Sequence, residues 1–109
     1  MALAAAGAEI PEILSLMAGS ANELAFHSDV PAANWAGAEA HYRQAVDLFT
    51  RAGDEREARN VELNLQTLFH LSGRPVDVER VKELTRYLEE AGDPRAEKGR
   101  KLLTELGEG

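Results

Sequence analysis

Apolar positions along this chain recur at intervals of three and four residues, and no stretch alternates with period two for long enough to suggest a strand. Ile10, Ile13, Leu14, Met17, Ala21, Leu24 and Ala25 form one stripe, which predicts a first helix over about 10–26. Pro11 suits its first turn, where its missing N–H costs nothing. Residues 28–33, with Pro31 among them, interrupt the pattern, and Asp29 or Asn34 can cap the next helix. Ala38, Tyr42, Ala45, Phe49 and Ala52, widened by Val46, predict that second helix, from Ala32 or Trp35 to Ala52. A third begins at Asp54, with Glu57 three residues on in a capping-box arrangement. Its stripe is Ala58, Val61, Leu65, Leu68 and Phe69, with Leu63 and Leu71 beside it; Gly73-Arg74-Pro75 ends it. A fourth starts near Asp77 and turns Val78, Val81, Leu84, Leu88 and Ala91 one way. A fifth opens with Asp93 as cap and Pro94 at the first helical position, carries Ala96, Leu102, Leu103 and Leu106, and stops at Gly107.

The phrase Ala52-Gly53-Asp54 returns as Ala91-Gly92-Asp93. A glycine just past a helix end can take the left-handed conformation that stops it. The Asp behind it can accept from the exposed N–H groups of the next helix. Two helices are thereby joined with almost no loop and forced antiparallel. The match extends upstream, with Tyr42 aligned to Val81, Ala45 to Leu84 and Phe49 to Leu88. The apolar face therefore repeats together with the turn, which implies a helical repeat protein.

The segment Glu39-Ala40-His41-Tyr42-Arg43-Gln44-Ala45-Val46-Asp47-Leu48-Phe49 resembles the second helix of a tetratricopeptide repeat, with small Ala38, aromatic Tyr42 and small Ala45 in that helix's spacing. Asn64-Leu65-Gln66-Thr67-Leu68-Phe69 with Gly73 resembles the first helix of the next repeat, and Asn22-Glu23-Leu24-Ala25-Phe26 a piece of an earlier one. The period is longer than usual and is similar to that of kinesin-light-chain-like repeats. The pattern departs from the family where Gln66 stands in place of a small residue and Val81 and Leu84 in place of the aromatic and Ala. The resemblance implies an antiparallel helical-hairpin array of five helices, a single domain over 1–109. In that domain residues 1–9 are a flexible start and 107–109 a tail. It also implies a groove lined by first helices that binds peptides or proteins and is not catalytic. Asn60, Leu63, Asn64, Thr67 and His70 fall near the groove-lining positions.

Composition narrows the function classes. The formal net charge of −7 argues against a nucleic-acid partner, because phosphate binding needs a basic surface. Residues 1–50 hold Glu9, Glu12, Glu23, Asp29, Glu39 and Asp47 against a single base, Arg43. The absence of cysteine excludes thiolate chemistry and fits a reducing compartment. No apolar run approaches the ~20 residues of a membrane span, and the opening residues lack the basic start of a signal peptide. The expectation is a cytoplasmic protein with no membrane partner.

Candidate chemistry is sparse. His27 follows Glu23 by four residues, which suits an exposed helical pair better than a metal site. No Glu-x-x-His pair of a di-iron bundle occurs. His41 lacks the Lys-Gly pair that would follow a phosphotransfer histidine, and reads as a half-exposed neighbour of the Tyr42 stripe. No phosphate loop or Ser-His-Asp arrangement is identifiable, so no enzyme, cofactor or metal is expected. Trp35, the single Trp, fits a partly buried staple at the start of the second helix. Asn60 and Asn64 offer amides that can both donate to and accept from a peptide backbone. Lys98 and Lys101, with Arg95, place cations on the fifth helix that suit acidic groups of a partner. The sequence thus predicts a protein-binding module. Its alternative is a structural self-assembly module, forming a homodimer through an apolar face on the first or last helix.

Overall fold

Each predicted stripe becomes a helix. The computed structural model describes residues 10–108, and the flexible start expected for 1–9 lies outside them. The helices are α1 (Pro11–Leu24), α2 (Trp35–Arg51), α3 (Glu55–Leu71), α4 (Val78–Glu90) and α5 (Ala96–Glu105). A π-turn at Ala25–Asp29 prolongs α1. Each helix packs against the next as an antiparallel neighbour, in an all-α body of 55 × 33 × 19 Å.

The repeated turn is the same structure twice. Gly53 and Gly92 have φ of 79° and 69°. After α2, Asp54 N–H donates to Phe49 O and Gly53 N–H to Thr50 O; after α4, Asp93 N–H donates to Leu88 O and Gly92 N–H to Glu89 O. These bonds satisfy the last carbonyls of each helix. Helix starts follow their caps in α2 and α4. Asn34 accepts from Gly37 N–H at 3.2 Å, and Asp77 from Arg80 N–H at 3.1 Å.

Two apolar clusters share α3. Leu14, Ala18, Ala21 and Ala25 join Ala38, Tyr42, Ala45, Leu48 and Phe49 of α2 and Ala58, Val61, Leu65 and Leu68 of α3. Trp35 and Phe69 pack against this cluster partly buried. On the other side of α3, Leu63 closes with Val81, Leu84, Leu88, Ala96 and Leu102. Burial pushes the Tyr42 hydroxyl up to about 12, helped by the Asp29 carboxylate.

Four expectations need correction. The first stripe splits: Leu14, Ala21 and Ala25 are buried, with Ala18, but Ile10, Ile13, Met17 and Leu24 are left about half exposed. The reason is close approach. α1 meets α2 through alanines, Ala38 and Ala45 being fully buried opposite, and the contact is narrower than the apolar arc. Leu71 does not join the α3 stripe; it is 54% exposed at the helix end. The capping box at α3 does not form. Asp54 sits at the N-cap without a side-chain bond, and Glu57 reaches instead to Arg95, at 2.6 and 3.0 Å. At α5, Asp93 does accept an N–H, that of Arg95 at 2.9 Å, but the first turn closes with three-residue bonds and the α-helix proper begins at Ala96.

Candidate functional site

An open groove runs over α1 and α3 to the start of α5. Its volume is about 920 Å³, and Ser15, Gly19, Ser20, Asn22, Asn60 and Arg95 are among its lining residues. The α1 contribution is largely small or polar, with Leu16 and Leu24 as its large apolar members. Leu16 and Glu23 rise at its edge.

A chain of polar contacts underlies this face. Asn64 Nδ2 donates to Asn22 Oδ1 at 3.2 Å, which ties α3 to α1. Lys98 Nζ donates to Asn64 Oδ1 at 2.8 Å and to Asn60 Oδ1, which ties α5 to α3. Asn60 and Asn64 are buried, and among the described residues no buried side-chain polar atom lacks a partner. Burial pulls the Lys98 ammonium down to about 8, reinforced by the nearby Arg95 charge.

Beside it, Arg95 bonds both Glu57 and Asp93, and these contacts hold its guanidinium firmly charged. The same guanidinium and the Arg95 N–H hold the Asp93 carboxyl down to about 2. A second cross-helix lock lies between α3 and α4, where Arg80 bonds Glu62 at 2.5 and 2.7 Å. Where α2 meets the α3 end, Arg74 lies 4.4 Å over the Phe69 ring and bonds Glu39 at 2.6 Å. Glu39 is held below its usual range by bonds from Arg74 and then Arg43.

The sequence-predicted residues fall into three places. Asn60 lines the groove, and Asn64 and Lys98 lie in the polar chain beneath it. Leu63 is fully buried in the second cluster, and the Thr67 hydroxyl donates to Leu63 O at 3.1 Å within α3. His70 sits against Glu105 at 3.2 Å, and Lys101 is exposed with no ion-pair partner among the described residues. Sequence reasoning missed Gly19 and Asn22 as groove residues and Glu57 as the anchor of Arg95. The signal for Asn22 was present, since Asn-x-Leu at 22–24 and Asn-Leu at 64–65 place an amide on both first-type helices.

The histidines stay apart. His27 pairs with Glu23 at 3.2 Å, and His41 Nδ1 lies 2.5 Å from Asp29 Oδ2. Among the described residues no group of three acidic or histidine side chains could hold a metal, and no helix is long and apolar enough to cross a membrane. These features rest on the chain's own residues: no protein-family model, no curated protein and no solved structure matches it.

Proposed function

We propose that this chain is a protein-interaction module, a tetratricopeptide-like hairpin array that takes a peptide or helix along the groove over α1 and α3. The groove itself carries the reading. Ser15, Gly19 and Ser20 let a ligand backbone come close to α1, where Asn22 adds an amide, and Asn60 of α3 lies across from them with another. Glu57 and Arg95 give its α5 end charge of both signs, already paired with each other. A rigid polar floor suits recognition because a ligand then orders little of the protein on binding. No group here is arranged as a nucleophile with its base, so binding is favoured over chemistry. The apolar face left open on α1 favours self-assembly as a second use of the same scaffold, and it borders the groove at Leu16 and Leu24.

Gly19 offers the test. A Cβ built there meets no atom within 4 Å, so Gly19→Arg fills the groove without disturbing the fold. Proteins captured from a native lysate by the wild type are expected to be lost with Gly19→Arg, at an unchanged melting temperature. Identical capture by both proteins refutes the groove as the binding surface.

A further inference from the structure

α1 wears its large residues on the outside. Its buried face is Leu14, Ala18 and Ala21, continued by Ala25, while Ile10 (48% exposed), Ile13 (50%), Met17 (48%) and Leu24 (48%) face away from α2. With Ser20 these exposed positions step by three, four, three and four residues. That is the spacing of a coiled-coil seam, in which a second helix is the natural partner. Among the described residues the exposed large hydrophobic side chains lie on α1, at Phe26 beside it and at Leu71; α5 has none. The choice between first and last helix therefore falls to the first. The seam borders the groove, which also takes in Ser20 and Leu24, while Gly19 lies outside the seam.

We propose that the α1 seam pairs with the α1 seam of a second copy, antiparallel and about a two-fold axis. The seam is uncharged, so it offers nothing to a charged partner and meets itself without repulsion. It is also self-complementary in size. With the axis beside residues 18 and 19, Ile13 meets Leu24 of the other copy and Met17 meets the small Ser20. In the same register Glu23, on the flank, meets Leu16 rather than the other Glu23, so no like charges oppose. Ile10, Ile13, Leu16, Met17 and Leu24 expose between 48% and 72% of their surfaces, on the order of 500 Å² per subunit. A pair then clears the roughly 1,000 Å² that marks a specific interface, at its small and reversible end.

The test is the mass in solution and a directed cross-link. Light scattering after size exclusion is expected to show wild-type protein passing from 11.9 kDa toward twice that mass as concentration rises. Met17→Glu is expected to raise the dissociation constant by at least ~10-fold, since it places two buried carboxylates on the axis. Its far-ultraviolet spectrum and melting point are expected to match wild type, because Met17 is exposed in the monomer. The chain has no cysteine, so register can be read by oxidation. A variant carrying both Ile13→Cys and Leu24→Cys is expected to form covalent dimers. Ile13→Cys alone is expected to give no covalent dimer under oxidation, because the two residues lie roughly 16 Å apart along the axis. A monomer at all concentrations overturns the pairing and assigns the seam to another occupant. A dimer unchanged by Met17→Glu overturns the surface, and efficient cross-linking of Ile13→Cys alone overturns the antiparallel register. Gly19 lies outside the seam, so Gly19→Arg is expected to leave the solution mass unchanged, which separates failure of the pairing from failure of the groove.

Discussion

Gly99 lies in the middle of α5, where glycine ordinarily weakens a helix by about 1 kcal/mol relative to Ala. By that rule Gly99→Ala stabilises the protein. The packing says the reverse. Gly99 is buried, and a Cβ built on it falls 1.8 Å from Thr85 Oγ1, 2.9 Å from Thr85 Cβ and 3.1 Å from Thr85 Cγ2. Thr85 is itself buried, and its hydroxyl donates to Val81 O at 2.7 Å, so it cannot swing away without giving up that bond. The overlap forces α4 and α5 apart in the region of Leu84, Leu88 and Leu102, which are packed around it. Overpacking of this kind costs about 1–3 kcal/mol, and loss of the hydroxyl bond about 1 more. Against the helix gain, the net is a destabilisation on the order of 1–3 kcal/mol. Urea melts at fixed m-value measure it. A double-mutant cycle with Thr85→Ala identifies the cause, since removing Oγ1 and Cγ2 takes away the 1.8 and 3.1 Å overlaps and is expected to recover part of the loss, the 2.9 Å contact to Cβ remaining. A Gly99→Ala variant at or above wild-type stability, or a cycle with no coupling, refutes the close crossing of α4 on α5.

Leu63→Ala is expected to lower stability by about 2–5 kcal/mol, as a large-to-small change in a fully buried site, and to leave groove binding intact; an unchanged urea midpoint removes Leu63 from the core. Lys98 gives a pH signature. Its folded value of about 8 lies below the ordinary 10.5, so between these values the unfolded chain binds more protons and stability rises with pH. Below pH 8 the penalty for the buried ammonium is present in full. Above 10.5 it is gone. Thermal melts from pH 7.5 to 10.5 are expected to show this rise in wild type relative to Lys98→Met; parallel profiles refute it.

Local chemistry was legible in the sequence. Gly53 and Gly92 stop α2 and α4 because each helix end needs a left-handed residue, and that need is written at the position itself. Asn34 and Asp77 cap for the same kind of reason. Features that depend on a partner distant in sequence were not legible. Asp54 and Glu57 have the capping-box spacing, yet Glu57 goes to Arg95, which only the placement of α5 brings near. Leu63 carries the same periodicity as its neighbours, and only the second cluster shows that it faces α4 and α5 rather than a groove. On α1 the apolar arc was plain, but its division into buried alanines and exposed Ile, Met and Leu comes from how closely α2 approaches. Asn64 has the amide of a ligand anchor, but that amide is engaged by Asn22 and Lys98.

The division into two clusters also sets an order of assembly during synthesis. Every buried member of the first cluster lies between Leu14 and Leu68, so that core can close as soon as α3 has left the ribosome. The second reaches from Leu63 to Leu102 and waits for α5. In the interval the nascent chain is a three-helix body whose last helix shows Leu63 to solvent on its outer side. α4 and α5 then add to a surface that already exists, through contacts local in sequence, which is the kind of topology that folds fast.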